Sequence, residues 1–279
     1  MSAEHTQKSP PAPRTGGAPP RKAPRRLQLG ASRLEDLDVR VLEHFLDDSW
    51  LHLGDASPPV RPPRLVRWAA QLRRHPVQFA GIALRELLGR SARPRRSELP
   101  PEALYARTRF EPFYFRKEDR LAFPDASFDY IFSEHFLHHL FFDEGLALLR
   151  ECHRILRPRG VLRTVVPDAD LRTYAPPEPV GYPDVRESFV SPLKHKTRYS
   201  VYMLSEALRL AGFAPVPLRY CDRDGRYVRR DPAELRDVYR GCPEPTLVFD
   251  LSHVIRLDSL IVDGIKPGDG VGAEGAERG

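Results

Sequence analysis

The sequence predicts an α/β fold built around a mostly parallel sheet, and three observations carry the prediction. An apolar strand, an amphipathic helix and a second apolar strand follow one another within residues 128–166, the order of a βαβ unit. Short apolar segments at 27–29 and 50–53 end at glycine or aspartate, as strands that run into loops do. The chain has 279 residues and 41% of them are hydrophobic, which is enough for one full core.

The elements before the βαβ unit are short. Residues 27–29 predict a first strand that Gly30 closes. Apolar residues at 34, 37, 41, 42 and 45 recur at three- and four-residue spacings and predict a helix over 34–46. Residues 50–53 predict a second strand that stops at Gly54 and Asp55.

The βαβ unit has the clearest signals. Residues 128–133 contain aromatic and β-branched residues and predict a strand, and Asp143 is placed to cap the helix that follows. That helix repeats apolar residues on one side up to Leu156, and residues 157–160 end it by turn chemistry. Residues 161–166 then predict the next strand, closed by Asp168.

Three further elements are predicted toward the C-terminus. Residues 201–210 predict a helix that ends at Gly212. Residues 214–220 suit a strand only at a sheet edge, because Pro215 and Pro217 lack the N–H donor that a central ladder needs. Residues 259–266 alternate strongly and predict a terminal strand.

The positive charge is uneven along the chain. The net charge is +6, and much of it falls in residues 1–26 and 61–96. Residues 1–26 predict a disordered basic tail, residues 268–279 a flexible one, and residues 27–267 one folded domain with a helical insertion at about 61–108. The insertion suits a helix pair with solvent-facing arginines, and a substrate lid or a membrane-surface contact near Trp68 stays open. A nucleic-acid partner is not favoured, because aromatic residues are not interleaved with the basic ones.

Cysteine usage and hydropathy limit the classes of protein. Cys152, Cys221 and Cys242 are far apart and lack the short paired spacings of a disulfide framework or a zinc site. No stretch of about 18 apolar residues is present, and the N-terminus lacks the apolar region of a secretory signal. We therefore expect a cytoplasmic protein.

Three linked stretches resemble a known family. Residues 121–129 read LAFPDASFD, residues 133–140 read SEHFLHHL and residues 154–162 read RILRPRGVL. In order and spacing they are similar to the LPFPDxSFD, SxHxLEHL and RVLKPGG signatures of class I S-adenosylmethionine (SAM)-dependent methyltransferases. The resemblance extends more weakly to residues 27–30 and to His195-Lys196, residues 204–213 and residues 259–267. It implies a Rossmann-like sheet whose last strand is antiparallel, and methyl transfer from SAM to a small-molecule or glycan-type acceptor.

The resemblance also implies where SAM binds. A glycine-rich turn after the first strand lets the amino-acid end of the cofactor approach the backbone, although Ala31 and Ser32 stand where the family has Cys or Ala and then Gly. A carboxylate after the second strand accepts hydrogen bonds from the ribose, and a second acidic residue faces the adenine. The cofactor-binding residues implied in this way are Leu29, Gly30, Ala31, Ser32, Asp55, Glu118, Asp119 and Glu134.

His135 is the candidate catalytic residue. It follows the fourth strand, where ligands bind in an open parallel sheet, and the near-neutral intrinsic pKa of histidine suits a general base for a hydroxyl or amine acceptor. His135 and His139 could share a helix face and a metal ion, but the sequence shows neither an HExxH order nor an evident third ligand. No metal site is therefore predicted.

Two functions remain open at the level of sequence. The first is a SAM-dependent methyltransferase. The second is a methyltransferase-like fold that has lost the cofactor and serves as a binding or scaffold protein. Ser32, Arg116 and Lys117 favour this second function, because they stand at positions where the family binds the cofactor. The sequence does not specify the acceptor or the oligomeric state.

Overall fold

The computed structural model describes residues 25–55, 96–171 and 195–268, and within them eight strands form one sheet. Strands β1 to β5 pair in parallel, and β8 runs antiparallel between β5 and β6. The predicted fold class is confirmed. The order across the sheet is β3-β2-β1-β4-β5-β8-β6-β7, with bounds β1 Arg26–Ala31, β2 Trp50–Gly54, β3 Phe110–Pro112, β4 Phe128–Glu134, β5 Leu156–Val166, β6 Ala214–Cys221, β7 Tyr227–Arg229 and β8 Leu260–Ile265.

Helices cover both faces of the sheet. Alternate residues of a strand point to opposite faces, so Ile131 joins one apolar cluster while Tyr130 and Phe132 join the other. The first cluster contains the apolar faces of α3 and α4, and the second contains those of α1, α2 and α5. The bounds are α1 Val39–Phe45, α2 Pro101–Arg107, α3 Phe142–Ile155, α4 Val201–Leu210 and α5 Pro245–Phe249, with 3₁₀ turns at Leu34–Asp36, Leu137–His139 and Pro232–Leu235.

Three local predictions need correction. Residues 157–160, predicted as a turn, belong to β5, which begins at Leu156. The helix predicted over 34–46 is a 3₁₀ turn followed by α1, because the Asp38 side chain accepts from the Arg40 N–H and starts a new helix there. Asp143 is not the N-cap residue of α3, although its carboxylate accepts the Glu144 N–H at 3.0 Å in the first turn. The carboxylate of Glu144 instead accepts the Phe141 N–H at 2.9 Å, and Asp143 pairs with Lys117.

The two prolines of β6 explain its position in the sheet. Residues 214–219 pair with β8 on one side, and β7 covers only residues 219–221 on the other. Pro215 and Pro217 therefore lie in the half of β6 whose other edge pairs with no strand among the described residues, where a missing N–H costs no ladder bond. The predicted edge placement holds for that half of the strand.

A buried ion pair joins β8 to β5. Arg163 and Asp263 face each other in the antiparallel register, are fully buried, and form two hydrogen bonds of 2.9 and 2.8 Å. Arg163 also donates to the carbonyls of Leu247 and Val248 at the C-terminal end of α5, and Tyr239 donates to Asp263. This network stabilises the antiparallel strand in one register.

The arginine-rich segment and both tails lie outside the described residues, apart from Arg25, Arg26, Arg96 and the residues next to them. Arg96 pairs with Asp36 at 3.5 Å, and α2 lies in the remainder of the predicted helical insertion. Among the described helices, none combines the length and the apolar character that a membrane crossing requires.

Stability should fall as the pH drops below about 6.5. Burial, assisted by nearby Arg163, lowers the pKa of His253 to about 3, and burial lowers that of His52 to about 4. Both histidines stay neutral in the folded state at pH 5, whereas in the unfolded chain they take up a proton below about pH 6.5. The free energy of unfolding should therefore decrease by roughly 2 kcal/mol per histidine between pH 7 and pH 5, as urea denaturation would measure.

The variant His253→Gln tests the assignment. It should reduce the loss of unfolding free energy between pH 7 and pH 5 by roughly 2 kcal/mol, while Arg209→Gln on the exposed side of α4 should leave that loss unchanged. An identical slope in His253→Gln and the wild type would show that this histidine is not the source.

Candidate functional site

The carboxyl ends of β1, β2 and β4 meet at one edge of the sheet and enclose a cavity of about 230 Å³. Ligands bind at this edge in open parallel sheets, where the strand order reverses. Here the reversal lies between β1 and β4, since β2 and β3 extend to one side and β5 to the other. The cavity is lined by Gly30, Ala31, Ser32, Gly54, Asp55, Phe113, Tyr114, His135, Phe136 and His139.

Two glycines make the turn after β1 compact. Gly30 has φ of +67°, a left-handed conformation that favours glycine, and a Cβ there would lie 2.3 Å from Cβ of Phe136. A Cβ on Gly54 would lie 2.2 Å from the carbonyl oxygen of Ala31. The glycine at position 30 therefore leaves room for the Phe136 side chain, which covers this part of the turn.

His135 lies in the wall of the cavity in a strained conformation. Its φ is +52°, which is uncommon for a residue other than glycine, and its N–H donates to the Val165 carbonyl at 2.8 Å. Its Nε2 lies 3.0 Å from Oγ of Ser259. Burial, with a further contribution from Arg256, lowers the pKa of His135 to about 3, so the ring is neutral near pH 7.

Three further histidines lie beside the cavity. His138 and His139 belong to the 3₁₀ turn after β4, and His195 comes from a distant segment that packs against this turn. The ring centroids of His138 and His195 are 4.3 Å apart, and those of His138 and His139 are 4.1 Å apart. The sequence does not predict this cluster, because His195 is distant in the chain and appears only as the His195-Lys196 pair in the weaker part of the resemblance.

The sequence matches a protein-family model in the region that forms this edge. Residues 79–164 match the methyltransferase domain family, and they include β4, most of β5 and the loop that contains His135. The sheet has the parallel strands and the antiparallel C-terminal strand of that fold. Over residues 79–164 the chain is therefore similar to methyltransferase domains.

Solved structures of low similarity include several methyltransferases. One is a chain from the complex between the Haloferax volcanii Trm112 methyltransferase activator and a methyltransferase (16% identity, 89% of this chain and 85% of that chain, TM-score 0.41). Another is the Burkholderia thailandensis 1,6-didemethyltoxoflavin-N1-methyltransferase with S-adenosylhomocysteine (17% identity, 88% and 72%, TM-score 0.39). A third is a SAM-dependent methyltransferase from Methanosarcina mazei (13% identity, 88% and 92%, TM-score 0.39). No curated protein matches the chain. The assignment rests on the family match and the sheet order.

Four of the predicted cofactor residues come together in the structure. Gly30, Ala31, Ser32 and Asp55 line one cavity, with Ser32 and Asp55 exposed to it. Two aromatic residues that the sequence analysis did not select, Phe113 and Tyr114, add an apolar wall.

The other four predicted cofactor residues do not line the cavity. Leu29 is buried in the apolar core, and Glu118 and Asp119 are exposed on a loop. Asp119 accepts the Arg116 N–H at 2.7 Å and thus closes its own turn. Glu134 accepts the N–H groups of Ile255 and Arg256 at 3.2 and 2.7 Å, so its carboxylate holds the loop before β8. Burial raises its pKa.

Proposed function

We propose that the protein transfers a methyl group from SAM to a hydroxyl group of a small-molecule or glycan-type acceptor. One observation carries the proposal: the predicted cofactor turn and the predicted ribose carboxylate, Gly30–Ser32 and Asp55, line a single cavity at the switch point of a methyltransferase sheet. The cofactor supplies a methyl group that is already activated on a sulfonium. The protein has to bind the cofactor, orient the acceptor toward the methyl group and remove a proton from the acceptor.

The residues present fit the nucleoside part of SAM. Asp55 at the end of β2 is an exposed carboxylate beside the cavity, placed to accept ribose hydroxyl hydrogen bonds. Phe113 and Tyr114 offer aromatic faces to the adenine, and Tyr114 is 54% exposed at the rim. The turn at Ala31 and Ser32 would hold the amino-acid end of SAM, and the Phe136 side chain would limit how deeply that end enters the cavity.

The surroundings of His135 bear on which class of acceptor suits the site. An imidazole with a pKa of about 3 is too weak a base to take a proton from an ammonium group with a pKa of about 10. A hydroxyl becomes strongly acidic while its oxygen forms the new bond, so a weak, neutral base can accept its proton. The environment of His135 therefore favours a hydroxyl acceptor over a protonated amine.

Calorimetric titration with SAM and S-adenosylhomocysteine tests cofactor binding. The wild type should bind both, and Asp55→Ala should weaken binding by about 10- to 100-fold, since a charge-assisted hydrogen bond contributes roughly 1.5–3 kcal/mol. Glu118→Ala, which removes a carboxylate outside the cavity, is the matched control and should bind normally. No heat and no thermal stabilisation of the wild type at millimolar cofactor would rule the proposal out.

A second candidate function follows from Phe136. Its side chain fills the space over Gly30, which favours a methyltransferase-like domain that binds another partner without using SAM. In that case the wild type would not bind SAM, whereas Phe136→Ala or Ser32→Gly would create binding. Binding by the wild type with little gain in either variant excludes this alternative.

A further inference from the structure

His138, His139 and His195 form a compact group of nitrogen donors. One ring nitrogen from each lies within 4.8 Å of the others. The three rings come from two segments that are distant in sequence, the 3₁₀ turn after β4 and the segment that begins at residue 195. This convergence is a property of the fold, because only two of the three histidines are neighbours in the sequence.

Backbone hydrogen bonds hold the two segments together. The N–H groups of Lys196 and Thr197 donate to the carbonyl of His138 at 2.9 and 3.2 Å. Oγ1 of Thr197 donates to the carbonyl of Leu140 at 2.7 Å. His195 is therefore attached through main-chain contacts to the turn that contains the other two rings, and the group does not depend on side-chain packing alone.

The buried ring of His138 provides an independent observation. Its side chain belongs to a residue that is 2% exposed, and its Nδ1 has no hydrogen-bond partner among the described residues. A buried polar atom without a partner costs roughly 1–3 kcal/mol, so such atoms usually have a ligand, an ion or a water beside them. The unpartnered nitrogen belongs to one of the three histidines of the group.

We propose that His138, His139 and His195 bind a divalent transition-metal ion of the zinc class. Zinc–nitrogen bonds of about 2.0–2.1 Å place tetrahedral donors roughly 3.3 Å apart, so the rings have to close in by no more than about 1.5 Å. His139 and His195 are half-buried and can make this adjustment by side-chain rotation. Three histidines and one open position form the donor set of catalytic zinc sites.

The donor atoms of the group favour nitrogen-binding metals over hard cations. Arg256 acts electrostatically on His138 and His195, and Arg198 acts on His195. Magnesium and calcium need oxygen donors and anionic side chains, which this group does not supply. Imidazole ligands suit zinc, copper, iron and nickel. The nearby arginines also favour an anionic or oxygen donor from a ligand at the fourth position.

The position of the group suggests what the fourth ligand is. His139 belongs both to the histidine group and to the wall of the cavity, next to His135. A bound metal would lie at the acceptor side of the cavity and would bind the acceptor oxygen that is to be methylated. This last step rests on the proposed function, whereas metal binding itself does not.

Titration of the metal-free, cofactor-free full-length protein with metal ions tests the site. Zn²⁺ and Co²⁺ should bind at one ion per chain, and Mg²⁺ should not bind. His139→Gln and His195→Gln should each weaken Zn²⁺ binding by about 100-fold or more, while His44→Gln, a histidine on α1 far along the chain, should bind as the wild type does. Circular dichroism of each variant confirms that it is folded, which is why the fully buried His138 is not the main target.

The outcomes separate this proposal from the proposed function. No binding of Zn²⁺ or Co²⁺, or equal affinity in the wild type and both half-buried variants, would overturn the metal site. Charge-transfer absorption from a cobalt–thiolate bond would also overturn the proposed metal site, because it would show that a cysteine binds the ion. SAM titration of the metal-free protein is independent: it can succeed when metal binding fails, and fail when metal binding succeeds.

Discussion

Replacing Asp263 with alanine should lower the free energy of unfolding by about 3–5 kcal/mol, because Arg163 would be left buried without its counter-charge. Both side chains are fully buried and share two hydrogen bonds across β5 and β8. Tyr239 would lose its acceptor as well. Urea denaturation followed by circular dichroism measures the change.

Two controls define this expectation. Arg209→Ala removes an exposed ion pair with Glu206 on α4 and should change stability by less than about 1 kcal/mol. The double variant Arg163→Met with Asp263→Leu removes both charges and should be more stable than Asp263→Ala alone. A loss below about 1 kcal/mol in Asp263→Ala would contradict the interpretation of the pair as a buried network.

Replacing Ser32 with tryptophan should abolish detectable SAM binding, a loss of at least about 100-fold or roughly 3 kcal/mol. Ser32 is exposed at the turn after β1 and lines the cavity, so a large ring there would fill the space proposed for the cofactor without disturbing the core. Calorimetric titration measures binding, and a thermal melt within a few degrees of the wild type shows that the fold is intact.

Ser32→Gly is the matched control at the same position. It restores the residue that the family has there, and it should bind SAM at least as tightly as the wild type. Normal binding by Ser32→Trp would contradict the account, since it would mean that the cofactor lies elsewhere or does not bind at this edge of the sheet.

The central part of the fold could be predicted because its signals are local. β4, α3 and β5 have strong periodicity and long apolar segments, and the three motifs lie at or beside the ends of these elements. β3 and β7 were not predicted. Each has three residues, too few to show alternation, and each is stabilised by pairing with a strand that is distant in the chain.

The candidate site was predictable in the parts that follow a strand directly. Gly30, Ser32, Asp55 and His135 all come at or after the carboxyl ends of strands, and topology alone brings such residues to one edge. Glu134 follows β4 as well, but its carboxylate binds the loop at 255–256. That loop precedes β8, and its position could not be known before the antiparallel register was known.

Two other features could not be predicted for the same reason. The pairing of Arg163 with Asp263 depends on the register of β5 and β8, which hydrophobic alternation does not specify between distant strands. The approach of His195 to His138 depends on backbone hydrogen bonds between a loop and a 3₁₀ turn, and no periodic pattern records such contacts.

A crystal structure of the protein soaked with S-adenosylhomocysteine tests the central claim most directly. The account predicts density for the nucleoside beside Asp55, Phe113 and Tyr114, with the amino-acid end at Ala31 and Ser32. An empty cavity at millimolar ligand, with Phe136 still packed over Gly30, would contradict it and would favour a domain that binds a partner other than SAM.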